Sequence, residues 1–418
     1  MNIHSTSFIK RAKSALVSLL ILASIGFAPN AKAADNTLIV STKAKAKVDE
    51  VRLKLSELGY SVLREIPFSA GKFTIFHVRM NSGDVAAALK QISKVKGVNT
   101  VERNFSSGTQ AAKFCTPNDP DFPSQYGLQS VRWADARCTL KLLGINQRAT
   151  PRLTIIDSGV NRINAGDEMT DVVQFNFVGG VNGIAEAPYD TGVHGTAVCG
   201  VASARTDNST FISGVASHNL PLKIVSCRCS NDGSTYATMD VIQAMSWCMD
   251  NQALRGGPGV INVSLNSFGL PKYNGSPVIQ EIAREGRKQG DLIVNASANE
   301  ALEDPSPEKY MRRIAALDEN NELWDKSNYG PFKGASPGVL ITTFDSPSSI
   351  AFGSGTSFAS QFWAGAISLL MSLNPRLNAV KADAIVYRTA YSVQTVQGEF
   401  KVPDINRAVL QSALFTWF

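Results

Sequence analysis

No stretch of the 418 residues is apolar for the roughly 20 positions that a bilayer-spanning helix takes. No internal repeat or low-complexity tract occurs. A composition of 44% hydrophobic and 18% charged residues is ordinary for a globular chain and excludes disorder, collagen and coiled coil. Histidine is scarce, with four in the chain, and the six cysteines include no CxxC pair. Zinc is therefore not expected. A cationic surface is missing from most of the sequence as well. The net charge is +6, but residues 1–33 carry four basic side chains and no acid, and residues 34–112 carry twelve basic against seven acidic. Residues 113–418 hold 25 basic and 28 acidic side chains, a net of −3. The bulk of the chain offers phosphates no footprint, and no nucleic-acid partner is expected.

What is present begins with a leader pattern. Lys10, Arg11 and Lys13 precede an apolar run from Ala15 to Ala28, and Ala31-Lys32-Ala33 follows. A basic flank, a short apolar core and a small-x-small site predict a secretory signal peptide over 1–33. The run is too short for an anchor, no Cys follows it, and no twin-Arg pair is present. An exported chain without a membrane span is expected. All six cysteines (Cys115, Cys138, Cys199, Cys227, Cys229 and Cys248) lie beyond residue 112. An even count in an exported chain favours disulfides. Cys227 and Cys229 stand too close to pair, and Cys115–Cys138, closing a short loop, is the favoured bridge. Cys199, within an apolar helical stretch, reads equally as a buried thiol.

Residues 34–112 predict a small domain. TLIVST (37–42), KFTIFHVRM (72–80) and VNTVERN (98–104) read as strands. Val48, Val51, Leu55 and Leu58, then Val85, Leu89, Ile92 and Val95, recur at helical spacing. The outline is a βαββαβ-like unit, closed by the polar tract Ser106-Ser107-Gly108-Thr109-Gln110, which reads as an exposed linker. From Pro117 onward, β-branched runs (RLTIID 152–157, VINVSL 260–265, DLIVNAS 291–297) alternate with helical patterns near 237–249 and 278–288. Such alternation predicts an α/β domain over 113–418, a mostly parallel sheet with helices on both faces. Ligands of such sheets bind at the carboxyl ends of the strands, where Asp157 and Asn299 fall.

A hydroxyl nucleophile needs a base in reach, and the base needs a group that fixes its tautomer. Only His194 and His218 are available in the large domain. His194 sits in Gly192-Val193-His194-Gly195-Thr196 before an apolar helix, whereas His218, among Ser217, Asn219 and Pro221, reads as a surface loop. Ser357 stands in GTSFA (355–359) directly before the apolar run 362–371, where a helix N-terminus and a backbone N–H can hold an oxyanion. Each motif alone reads more simply as a turn or an N-cap. Their order, Asp157, His194, Asn299, Ser357, is far more specific.

With LTIIDSGV (153–160), GVHGTAVCGVAS (192–203), INVSLNS (261–267), NASANE (295–300), ASPGV (335–339) and GSGTSFAS (353–360), the sequence resembles the subtilisin-like serine proteases, the subtilases. The resemblance starts near PNDPDF (117–122) and runs to the end, while 34–112 resembles the family's inhibitory propeptide. It implies that Ser357 is the nucleophile, His194 the general base and Asp157 its orienting partner. Asn299 with the Ser357 N–H implies the oxyanion hole, and Ser264, Leu265 and Asn266 the strand that pairs with an extended substrate. The sequence departs from the family pattern at Ala197, Ala298, Gln361 and Asn266-Ser267. No cofactor is implied for the chemistry. Structural calcium is implied for a loop formed by Thr206-Asp207-Asn208-Ser209 with Asp167.

The expected protein is a secreted, monomeric serine endopeptidase acting on proteins or peptides. It is made as a self-processing proenzyme with its own propeptide as inhibitor. The alternative is a catalytically weak or inactive subtilase-fold protein that binds peptides.

Overall fold

The computed structural model describes residues 33–44, 46–68, 73–80, 85–105, 115–163, 167–231, 235–265, 276–306, 309–346 and 349–415. The chain divides into two compact units, Met1–Phe114 and Cys115–Phe418.

The first unit runs β1 (Ala33–Thr42), α1 (Val48–Glu57), β2 (Ser61–Phe68), β3 (Phe73–Arg79), α2 (Val85–Ile92) and β4 (Val98–Phe105). Its antiparallel sheet has the order β2-β3-β1-β4. One core holds it together: Leu38 and Val40 of β1, Phe76 and Val78 of β3, and Val51, Leu55 and Ile92 of the helices are all buried. Strand β2 is the element that the alternation pattern leaves unmarked. Arg64, Glu65 and Pro67 interrupt its apolar residues, and it is recruited by pairing along β3.

The second unit is built on a ten-stranded sheet. Its strands are β5 (Arg152–Asp157), β6 (Val172–Asn176), β7 (Ile184–Glu186), β8 (Lys223–Arg228), β9 (Val260–Val263), β10 (Leu292–Ala296), β11 (Arg312–Leu317), β12 (Gly334–Pro337), β15 (Tyr391–Thr395) and β16 (Gly398–Val402). Between β12 and β15 lies a separate hairpin, β13 (Ile341–Ser346) and β14 (Ser349–Gly353). The sheet order is β15-β16-β12-β11-β10-β9-β5-β8-β6-β7. Strands β16 to β6 of that order run parallel, and β15 and β7 pair antiparallel at the two edges. A strand covered on both faces must be apolar on both, which is why RLTIID and DLIVNA read as continuous runs.

Leu153 and Ile155 of β5 face one layer, which includes α3 (Trp133–Leu143), α4 (His194–Ser203), α7 (Thr356–Leu373), α8 (Ala379–Thr389) and α9 (Ile405–Phe415). Ile156 faces the other, where α5 (Thr238–Asp250) and α6 (Pro277–Gln289) pack. All eighteen residues of α7 are buried, as a helix that is apolar all round must be. No helix among the described residues is long and apolar enough to cross a membrane.

His218 corrects the sequence expectation of a surface loop: it is buried, with 8% of its surface exposed. The cause is not local. Gln147 Oε1 accepts the N–H groups of His218, Asn219 and Leu220, and its Nε2 donates to the Ala216 carbonyl and to Ser372 Oγ. Those bonds draw the loop inward. Burial, with Arg137 second, lowers the His218 imidazole to about 4, so it stays neutral.

Cys115 and Cys138 form the expected disulfide, fastening the segment before α3 to that helix. Cys199 is a buried thiol, pushed up to about 12 by burial. With a sequence separation of 23 between its ends, the bridge contributes about 3 kcal/mol through loop-closure entropy. Cys138→Ser is expected to lower the unfolding free energy by about that amount in urea titrations. An unchanged midpoint would show that the bridge does not restrain the unfolded chain.

Candidate active site

The site lies where parallel strands end and helices begin. β5 ends at Asp157, α4 starts with His194, Ser264 follows β9, Asn299 follows β10, and Ser357 is the second residue of α7.

Asp157 has no exposed surface. Its Oδ1 lies 2.8 Å from His194 Nδ1 and accepts the Ser158 N–H at 2.7 Å, while Oδ2 has no hydrogen-bond partner. A glycine is obligatory where the two elements meet. A Cβ on Gly195 would fall 2.1 Å from the Gly159 carbonyl oxygen and 3.1 Å from Asp157 Cβ. Burial disfavours charge on His194, but the attraction of Asp157, their hydrogen bond and the charge of Asp190 outweigh it and raise its pKa above 6.5.

Ser357 is buried, and its Oγ donates to the Ser264 carbonyl at 3.1 Å. Ser264 Oγ in turn donates to the Ser357 carbonyl at 3.3 Å. The serine hydroxyl is thus held on the residue that follows β9 rather than on the imidazole. His194 and Phe358 nonetheless lie edge to face with ring centroids 6.2 Å apart, so the histidine borders the start of α7.

Asn299 is oriented by Thr356, whose N–H and Oγ1–H donate to Asn299 Oδ1 at 3.0 and 2.9 Å. The carbonyl end being fixed, the amide nitrogen faces the other way. A Cβ at Gly355 would lie 3.4 Å from Asn299 Nδ2 and 3.7 Å from the Ser357 nitrogen, so both donors border one point. Thr356 was not legible as functional, since a threonine before a helix is ordinarily a cap. Ser264 and Leu265 are buried at the end of β9, and Asn266 lies outside the described residues.

A profile of the subtilase family matches residues 148–407. The chain belongs to the subtilase family. It is accordingly a subtilisin-like serine endopeptidase, a hydrolase. It is 25% identical over 374 residues to the thermophilic serine proteinase of Bacillus sp. strain AK1, covering 88% of this chain and 85% of that one. It is 28% identical over 273 residues to thermitase of Thermoactinomyces vulgaris, covering 64% and 89% respectively. A protease structure from Pseudoalteromonas arctica superposes with a TM-score of 0.57 at 22% identity, over 71% of this chain and 99% of that one. The fold is that of the subtilisins.

Ala298 stands where the family pattern has glycine, and its φ is +90°. Its backbone is held from both sides: its N–H donates to Thr356 Oγ1 at 3.2 Å, and its carbonyl accepts the Asn328 N–H at 2.9 Å. Buried Asn328 further accepts the N–H groups of Glu300 and Leu302 and donates to Glu300 Oε2. The loop keeps its shape despite the Cβ. This subtilase carries about 1–2 kcal/mol of strain there, which glycine would remove while returning about 0.5–1 kcal/mol of freedom to the unfolded chain. Ala298→Gly is expected to raise Tm slightly, by up to about 1 kcal/mol of stability, and a fall in Tm would contradict the strain.

Of the loop expected to hold calcium, Asp207 instead pairs with Arg137 and, at 3.5 Å, with Lys141, while Asp167 lies 3.5 Å from Arg205. Of the neighbouring acids, Asp119 accepts the Asp207 and Asn208 N–H groups and the Ser213 hydroxyl. Glu168 has no exposed surface, and Asn208 and the Ile212 backbone lie in hydrogen-bond reach of its carboxyl. Burial, then the adjacent Asp119, push its carboxyl up to about 8. No group of three or more His, Cys, Asp or Glu suited to a metal occurs among the described residues.

Proposed function

We propose that the protein is a secreted endopeptidase in which Asp157, His194 and Ser357 act as a triad on protein or peptide substrates. Ser357 Oγ attacks the scissile carbonyl while His194 Nε2 takes the hydroxyl proton. The new oxyanion is met by Asn299 Nδ2 and the Ser357 N–H. Collapse breaks the C–N bond, His194 returns the proton to the leaving amine, and water then releases the acyl group by the same steps. Asp157 holds the imidazole tautomer throughout. An extended substrate would pair with the main chain of Ser264, Leu265 and Asn266. The observation that carries this reading is the 2.8 Å contact between Asp157, fully buried, and His194 beside the start of α7.

Residues 34–112 would be the propeptide, inhibiting the enzyme until the chain is cut near 105–116. Its net charge of +5 against −3 for residues 113–418 supports their association. The leader at 1–33 supports export, and the mature enzyme would act as a monomer.

The test is fluorophosphonate labelling of the purified exported protein, read by intact mass. One adduct on Ser357, absent in Ser357→Ala, is expected on a species beginning between Phe105 and Pro117. The labelling rate should fall as pH drops through a midpoint above 6.5, because the raised pKa keeps His194 protonated there. No adduct on a folded chain lacking residues 34–112 would favour the peptide-binding alternative.

Calcium belongs to the same reading. The buried carboxyl groups of Glu168 and Asp119, with the Asn208 side chain beside them, would offer oxygens to a hard cation, which would tie the chain before α3 to the segment after α4. EDTA is expected to lower Tm and added Ca²⁺ to restore it, by about 2.7 kcal/mol at a hundredfold excess over Kd. An EDTA effect that persists in Glu168→Gln would place the cation elsewhere.

A further inference from the structure

We propose that Asp190 is a positioning residue for the Asp157–His194 pair, its carboxylate tying the end of β5 to the first turn of α4 and adding a second negative charge beside the imidazole. This rests on the triad reading above.

The two elements that carry Asp157 and His194 are not adjacent in sequence, and α4 begins without a side-chain cap of its own. Its N-cap position is Val193, at φ +55°, a conformation that a β-branched residue rarely takes. The missing cap comes from Asp190, three residues earlier. Asp190 Oδ2 accepts the Thr196 N–H at 2.7 Å and the Thr196 hydroxyl at 2.6 Å. Asp190 Oδ1 accepts the Gly192 N–H at 3.1 Å and the Ser158 hydroxyl at 2.6 Å.

Ser158 completes the link. Its N–H donates to Asp157 Oδ1, and its Oγ accepts the Gly195 N–H at 3.0 Å. A closed ring results, running from Asp157 through Ser158 and Asp190 to Thr196 and back through Gly195 and His194. Every hydroxyl and N–H in it points toward a carboxylate or toward the serine that a carboxylate has polarised. A lone cap would need only the Thr196 N–H. The remaining bonds reach across to the residue beside Asp157, so the carboxylate sets the distance between β5 and α4.

The charge acts on the same imidazole. The ionised groups that raise the His194 pKa are Asp157 and Asp190. On β8, Arg228 stands opposite Asp157 in register but is paired with Glu186 at 2.7 Å. α7 presents Ser357 and Phe358, neither of which ionises near neutrality. Cys199, further along α4, remains a thiol. β13, which packs on α4, carries Asp345.

Asp190→Asn tests the charge, since it keeps the shape and one acceptor oxygen. The midpoint of the pH dependence of fluorophosphonate labelling at Ser357 is expected to fall by about half a unit, as Coulomb's law gives for one removed charge near the surface. The His194 ring titration, followed by NMR in the full chain, should move equally. A cap that served structure alone would lower Tm and leave the midpoint in place. An unmoved midpoint in folded Asp190→Asn overturns the electrostatic part.

Ser158→Ala tests the link while keeping the charge. The labelling rate at its pH plateau is expected to drop about tenfold with the midpoint unchanged, the cost of a lost positioning bond. An unchanged plateau overturns the positioning part, and does so even if Asp190→Asn fails to fold. Absence of labelling in the unaltered protein would remove the triad reading itself, and this proposal with it.

Discussion

A carboxylate removed wholly from water stays charged only if the groups around it replace its hydration. Asp157 is removed wholly from water, and the architecture on its side of the sheet brings hydrogen-bond partners to one of its oxygens. β5 delivers it to the sheet's carboxyl edge, Gly195 lets α4 come within contact of it, and the Ser158 N–H and His194 Nδ1 meet one oxygen. The second oxygen has no protein donor. The strand register then does the rest, because parallel neighbours all end at the same edge and bring Ser264 and Asn299 there with it.

The Ser357 side of the site is built on different chemistry. α7 is buried along its whole length and has no freedom to shift, so Ser357 and Thr356 are fixed with respect to β9 and β10. Thr356 is the hinge of the arrangement: its N–H and hydroxyl hold Asn299, and its hydroxyl also receives the Ala298 N–H. A strained alanine at φ +90° persists because these bonds over-determine the loop. Within these fixed elements the Ser357 hydroxyl rests on the Ser264 carbonyl.

The parts legible in the sequence were those set by local pattern. RLTIID matched β5 residue for residue, and the helical spacings matched α1, α5 and α6 to within a few residues, since a strand buried on both faces or a half-buried helix writes its period into the chain. Strand β2 escaped because its apolar residues are broken by Arg64, Glu65 and Pro67, and pairing along β3 decides its state. His218 was misread because Gln147, far away in sequence, buries its loop. Thr356, Asp190 and Ser158 gave no signal of their own. Each works by completing a hydrogen bond between segments, and a hydroxyl or carboxylate looks the same in sequence whether or not it does so.

The two histidines of the large unit answer to pH in opposite senses. His194 has a raised pKa, so the stability gained from its pairing is complete below the unfolded value of 6.5 and is lost as pH rises through the folded value. His218 has a lowered pKa, about 4, so its contribution is complete above 6.5 and is lost as pH falls toward 4. General-base chemistry needs His194 neutral, the state in which its contribution to folding is spent. The site is therefore least supported by its own ion pair at the pH where it would work, and the bonds around it that leave the imidazole out, from Thr356 to Asn299, from the Gly195 N–H to Ser158 and from Ser158 and Thr196 to the Asp190 carboxylate, carry the geometry there. That is a physical reason for so much hydrogen bonding to gather around one ion pair.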